Sequence, residues 1–132
     1  MKKRVFVSTL SILVLFLLVS INSSVFAQDA KPFLGTWKGS LAVMGMDMEI
    51  IIELSLDDTK NIQGTIDILT MGAEDLPLGE FAIDGKKITF KIIHPEAQGD
   101  PTFNGTLDEA GKKIEGSFAQ SGMEGTFIVT KE

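Results

Sequence analysis

The segment MDMEIIIELSL, residues 46–56, decides the fold because its side chains alternate between apolar and polar with a period of two. Every even-numbered position from Met46 to Leu56 is apolar, and the odd-numbered positions are polar except Ile51. Such alternation is typical of a half-buried β-strand, since successive side chains of a strand point to opposite faces. We therefore predict a strand here with one face in a core.

The rest of the chain after residue 32 shows the same period. Residues 33–43 carry an apolar side chain or glycine at every odd position, and Gly45 between the two runs predicts a tight hairpin. Asp84-Gly85 is a second two-residue hairpin signal. The remaining predicted strands cover 62–69, 81–83, 87–93, 102–107, 113–119 and 123–130, with loose connections at 70–78 and 94–101.

Eight short strands at even spacing leave no room for crossover helices. The predicted fold class is therefore all-β, an eight-stranded antiparallel meander that closes into a small barrel. A two-sheet β-sandwich is the alternative, because alternation alone does not show closure.

Glycine recurs inside the predicted strands in the pattern apolar-x-Gly-x-apolar. The period of two places these glycines on the interior face, where each costs strand stability of about 0.5–1 kcal/mol. We expect a compensating role, either strand bending at barrel corners or space for bulky side chains or a ligand. The glycines are Gly35, Gly39, Gly64, Gly105, Gly116 and Gly125.

The N-terminus reads as a secretory signal peptide. Lys2-Lys3-Arg4 precedes an apolar stretch at residues 5–21, and Val25-Phe26-Ala27 has small residues at the −3 and −1 positions of a cleavage site. An uncleaved anchor helix is the alternative, since the apolar stretch is nearly long enough to span a membrane. The predicted organisation is a signal-peptide helix at 1–27 and a single β-domain at 28–132, exported to the periplasm or secreted.

Composition narrows the function classes. The chain has no Cys, which excludes disulfides, zinc–thiolate sites and a cysteine nucleophile. Residues 28–132 carry 9 Lys, no Arg and 18 acidic residues, a formal net charge of −9. Nucleic acids and anionic lipid surfaces are poor partners for such a domain, so a membrane would be contacted only through an uncleaved signal peptide. No cofactor is predicted.

The order of short motifs resembles a family of small exported bacterial domains with lipocalin-like (calycin-like) barrels. Such domains occur alone or fused to serine-hydrolase and amidohydrolase-type enzymes, and the resemblance implies a barrel and export without a settled activity. The motifs span nearly all of residues 33–130 and are Gly35-Thr36-Trp37, Met44-Gly45, Pro77-Leu78, Asp84-Gly85, Gly105-Thr106, Gly116-Ser117 and Gly125-Thr126-Phe127.

Signals of catalysis are thin, so we predict a non-enzymatic protein. No nucleophile-elbow, zinc-protease or phosphate-loop motif is present. The single histidine, His94, ends a strand before Pro95 and is predicted at the barrel rim. Asp57 and Asp58 lack the spacing of a calcium loop and are interpreted as turn residues.

The leading functional hypothesis is a small hydrophobic ligand inside the barrel, and a protein-interaction module of the cell envelope is the alternative. The sequence is equally compatible with a barrel interior that is filled by the protein's own side chains and contains no pocket. The candidate lining residues are Trp37, Met48, Phe81, Phe90, Phe103, Phe118 and Phe127.

Methionine suggests a third hypothesis. Met44, Met46 and Met48 place three thioethers on one predicted strand face, and thioethers suit Cu(I). Met71 and Met123 would add ligands only if the fold brings them close. The competing interpretation is apolar padding of the core and hairpin.

Overall fold

The alternating residues 46–56 form a strand that pairs with strands on both sides. A computed structural model of the protein describes residues 29–132. Two short 3-10 helices, η1 (Lys31–Phe33) and η2 (Leu69–Met71), accompany the strands. The strands are β1 (Gly35–Val43), β2 (Met46–Leu56), β3 (Ile62–Ile68), β4 (Ala73–Asp84), β5 (Lys87–Ile92), β6 (Thr102–Leu107), β7 (Lys113–Gln120) and β8 (Met123–Lys131).

The sheet closes on itself. Each strand pairs antiparallel with the next, and β8 returns to pair with β1 from Trp37↔Lys131 to Val43↔Gly125. This confirms the predicted all-β, eight-stranded antiparallel barrel and excludes the sandwich alternative. The predicted signal-peptide helix at 1–27 lies outside the described residues. Within residues 29–132, no helix has the length and hydropathy of a membrane span.

Strand β4 differs from the sequence prediction. Residues 70–78 were expected to be a loose connection, whereas β4 already begins at Ala73 and runs for 12 residues. Its alternation is broken because the pairing register shifts on both sides, between Ile66 and Ile68 and between Gly79 and Ala82. Asp75 and Glu80 have φ of 54° and 51°, so the backbone bulges there and hides the period of two.

The meander places alternate connections at opposite ends of the barrel. We call the end with the β1–β2, β3–β4, β5–β6 and β7–β8 connections the open end, and the other the closed end. Helix η1 plugs the closed end with Phe33, which is fully buried. The Trp37 indole, also fully buried, donates its Nε1–H to the Phe33 carbonyl at 2.9 Å. The Lys131 ammonium lies 5.4 Å from the Trp37 ring centroid and completes this plug.

Aromatic rings fill the middle of the barrel. The Phe103 ring is the centre of the cluster, with ring centroids 5.1 Å from Phe90, 4.8 Å from Phe118 and 5.1 Å from Phe127. Stacked, tilted and edge-on contacts occur together, and these are the arrangements that aromatic quadrupoles favour. The middle of the interior is therefore packed protein.

The strand glycines allow neighbouring side chains and strands to approach the backbone closely. A Cβ at Gly105 would lie 2.6 Å from Ile114 Cγ2 and 2.8 Å from Phe127 Cζ, so aromatic bulk already occupies that space. A Cβ at Gly116 would instead collide with the Asn104 carbonyl oxygen on the neighbouring strand. Glycine thus lets adjacent strands coil tightly and lets Phe127 lie over the sheet.

Candidate functional site

The open end contains an apolar cavity with a volume of about 650 Å³. Strand interiors supply its deeper walls, and the connections supply its rim. Its lining residues are Leu41, Val43, Met44, Met46, Met48, Ile68, Met71, Leu76, Ile92, Glu96, Ala97, Gln98, Pro101, Phe118, Gln120 and Met123. A concave, mostly apolar site with few polar groups is the usual form of a small-molecule pocket.

Packing of the aromatic cluster sets the depth of the cavity. Phe118 lines the cavity, and its ring also contacts Phe103, 4.8 Å away between centroids. Leu41 and Ile68 are buried beside it and face the same space. The cavity therefore ends where the packed rings begin, and it occupies only the open-end part of the barrel.

The β5–β6 connection, residues 93–101, forms one wall of the cavity and is tied down at several points. The Gln120 side-chain amide donates to the Gln98 carbonyl at 2.7 Å, and the Ser121 N–H donates to the Gly99 carbonyl at 2.9 Å. At its other edge, the Lys91 ammonium contacts the Asp100 carboxylate at 2.8 Å. These contacts hold Ala97 against the core and fix this side of the mouth.

The opposite side of the mouth is rich in methionine. Met44 and Met46 belong to the β1–β2 hairpin and are 75% and 61% exposed, and Met71 of η2 is 68% exposed. Met48 and Met123 are half-buried deeper in the cavity. We call these five side chains the methionine rim; they are the only methionines among residues 29–132.

Charge is distributed unevenly between the two ends. Within the described residues, the four open-end connections carry no Lys, and the nearest ammonium, that of Lys91, is paired with Asp100. This pairing raises the pKa of Lys91, chiefly through the hydrogen bond from its ammonium to Asp100. Carboxylates in or beside these connections belong to Asp47, Glu74, Asp75, Glu96, Asp100 and Glu124. The mouth is thus an acidic surface around an apolar cavity.

The predicted lining residues divide into two groups. Met48 and Phe118 line the cavity. Phe81 is half-buried, and its ring centroid lies 5.6 Å from that of Phe90. The others are buried in the packed middle or the closed-end plug, away from the cavity: Trp37, Phe90, Phe103 and Phe127.

His94 begins the β5–β6 connection at the open end, where the sequence predicted a rim position. Its ring Nδ1 accepts a hydrogen bond from the Glu96 N–H at 3.1 Å, and its carbonyl accepts one from Ala97 at 2.9 Å. The imidazole therefore stabilises the turn that forms the cavity wall. It does not line the cavity itself.

Asp57 sits in the β2–β3 turn at the closed end and is held by its own neighbours. Its Oδ1 accepts hydrogen bonds from the N–H groups of Thr59 and Asn61, each at 2.9 Å, and from the Thr59 hydroxyl at 2.8 Å. The bond from Asn61 is the largest cause that lowers the pKa of Asp57. Over the part of the chain that the structure describes, no three His, Cys, Asp or Glu side chains group as a metal site.

The fold and the cavity define a class of protein, a small closed antiparallel β-barrel that is plugged at one end and open to an apolar cavity at the other. Comparison with known proteins adds no family to this description. No protein-family model matches the chain, and a search of curated proteins finds no similar sequence. The resemblance to lipocalin-like domains is accordingly supported at the level of the barrel fold.

Sequence reasoning missed the part of the site that comes from distant segments. Met71 lies in η2, Ala97 in the β5–β6 connection and Met123 at the start of β8, and no periodicity links them to β2. The useful signal was compositional, since every methionine after residue 43 lines one cavity.

Proposed function

We propose that this protein is a non-enzymatic, exported binding protein that holds one small apolar ligand in the open-end cavity. The observation that carries the proposal is the cavity itself, about 650 Å³ of apolar space left above a tightly packed aromatic floor. Pockets for small molecules span roughly 300–1,000 Å³, so this volume suits a single ligand.

The polar groups of the cavity restrict the chemistry of the ligand. Among the described residues that line the cavity, Glu96 is the only charged one, and Gln98 and Gln120 are the other polar ones. Within residues 29–132, no Lys, Arg or His lines the cavity, so this part of the chain offers no cationic partner to a carboxylate or phosphate on the ligand. The ligand class that fits is an apolar molecule without an anionic group.

A pair of fluorescent probes tests this function. Uncharged N-phenyl-1-naphthylamine should bind the purified barrel domain at one saturable site, and the anionic anilinonaphthalene sulfonate should bind much more weakly. Ala97→Trp places an indole in the mouth of the cavity. It should lower the affinity for the uncharged probe by about tenfold or more, equivalent to about 1.4 kcal/mol of binding free energy.

Ala110→Trp is the matched control, because Ala110 is exposed in the β6–β7 turn at the closed end. Thermal unfolding of both variants establishes that each is folded. Equal probe affinity in the two variants, or preference for the anionic probe, would overturn the proposal. If the uncharged probe binds as expected, mass spectrometry of protein purified from its own host should identify the natural ligand.

Export is part of the proposal and is tested separately. The signal-peptide pattern supports cleavage after Ala27, so intact-mass measurement of the protein from its host should find a chain starting at Gln28. Retention of residues 1–27 would favour the membrane-anchor alternative. The other alternative, a protein-interaction module of the envelope, predicts a co-purifying protein and no probe binding.

A further inference from the structure

We propose that the methionine rim is a Cu(I) site, in which thioethers from the β1–β2 hairpin, η2 and the start of β8 hold one soft monovalent cation at the mouth of the barrel. This goes beyond apolar ligand binding and rests on different observations. The sequence alone offered only the stretch from Met44 to Met48. The fold adds Met71 and Met123 to the same cavity.

Strand pairing brings the five side chains together. Met46 pairs with Val43, next to Met44, and Met48 pairs with Leu41. Met46 and Met48 share the interior face of β2, because they are two positions apart along the strand. One strand thus presents two thioethers to the cavity, and the hairpin turn adds a third.

The two distant methionines approach from either side of this hairpin. The Glu49 N–H donates to the Thr70 hydroxyl at 3.0 Å, which holds η2, the element that contains Met71, against β2. On the other side, Val43 pairs with Gly125, which places Met123 next to the hairpin turn. Three separate segments therefore surround one opening with sulfur ligands.

Exposure and charge point to a cation as the occupant. Met44, Met46 and Met71 are each at least 61% exposed, although burial of an apolar side chain is favourable. A thioether has no charge and is a soft ligand that selects Cu(I) over hard cations. The surrounding acidic mouth attracts a cation and carries no unpaired Lys among the described connections.

Methyl NMR with Ag(I), a redox-inert substitute for Cu(I), tests the site. The barrel, labelled with ¹³C at the methionine methyl groups, gives one signal for each of its five methionines. One equivalent of Ag(I) should shift signals from the hairpin methionines together with those of Met71 and Met123. The shifts should persist at pH 5, because thioethers carry no proton that a metal ion must displace. Zn(II) should shift none of them.

Two variants separate the contributions. The double variant Met71→Leu, Met123→Leu should lower the affinity for Ag(I) by about tenfold or more. Its affinity for Cu(I), measured against a competing chelator, should fall by a similar factor. Met44→Leu with Met46→Leu should do the same. Ala110→Leu, which adds a leucine at an exposed position of the closed end, is the control and should leave both affinities unchanged.

Three results would overturn the Cu(I) site: no methionine shifts, shifts confined to Met44 and Met46, or equal binding of Zn(II). Leucine conserves the apolar character and approximate volume of methionine, so these variants should still bind the uncharged probe. In the protein without substitutions, probe binding without Ag(I) binding would contradict only the Cu(I) site, and Ag(I) binding without probe binding would contradict only the proposed apolar-ligand function.

Discussion

At the scale of single residues, the strand glycines have two different roles that the sequence does not distinguish. Gly105 makes room for the side chains of Ile114 and Phe127, whereas Gly116 makes room for the backbone of β6. Side chains can change rotamer to accept an added methyl group, but a paired backbone moves only by breaking its ladder. The two glycines should therefore respond differently to the same substitution.

Gly105→Ala should lower the free energy of unfolding by about 1–3 kcal/mol, the usual cost of overpacking. Gly116→Ala should cost more, because its Cβ would meet the Asn104 carbonyl and would lie 2.7 Å from Gly105 Cα. Urea denaturation measures both. Asn104→Ala, at an exposed position of β6, is the control and should stay within about 0.5 kcal/mol. A smaller loss for Gly116→Ala than for Gly105→Ala would contradict this account.

At the scale of elements, turns at the closed end depend on carboxylates that accept backbone hydrogen bonds. Asp108 in the β6–β7 turn accepts from the N–H groups of Lys112 and Lys113 at 2.8 and 3.1 Å. The bond from Lys112 is the largest cause that lowers the pKa of Asp108. In both this turn and the Asp57 turn, one carboxylate accepts several hydrogen bonds from the turn that contains it.

Because these carboxyl pKa values are lowered in the folded protein, the stability that the two turns contribute depends on pH. The pKa of Asp57 in the folded protein lies below its ordinary value of 3.8, so its stabilising effect is present above that value and lost as the pH falls through the folded pKa. Asp57→Ala should therefore lower Tm at pH 7, and the difference should shrink as the pH falls below about 4. Asp58→Ala, which removes an adjacent exposed carboxylate, should follow the unchanged protein at each pH. A pH-independent difference for Asp57→Ala would refute this explanation.

At the scale of the whole molecule, the packed plug and the apolar cavity lie at opposite ends of the barrel. The closed end contains the fully buried pair Phe33 and Trp37 with their hydrogen bond. The open end has exposed methionines and a cavity. Because these side chains at the open end are exposed, substituting them should leave the packing of the core unchanged.

Substitutions at the two ends should show this separation. Phe33→Ala should lower the free energy of unfolding by about 3–5 kcal/mol, because it leaves a cavity under the barrel. Met44→Ala should change it by about 0.5 kcal/mol or less, as is usual for an exposed side chain. Denaturant unfolding measures both, and comparable losses at the two ends would disprove the separation.

The strands of the barrel were predictable because each is specified by consecutive residues and by the turn residues that follow it. Alternation in residues 46–56 and the Gly-containing turns set the strands, and strands with one apolar face have few ways to bury it. Strand β4 was only partly predicted, since its two bulges reverse the side-chain parity that the prediction relied on. The order of strands then followed from short connections.

By itself, then, the sequence determined an all-β fold of short strands that each bury one apolar face, because a period of two is present in consecutive residues. Closure into a barrel rather than a sandwich came from the pairing of β8 with β1. Only the tertiary structure decided how the barrel interior is divided. Whether Phe103 meets Phe118, and whether Met71 and Met123 reach the hairpin, depends on closure of β8 onto β1. Packing between segments that are far apart in the chain fills the middle of the barrel and leaves the open end with its cavity and methionine rim.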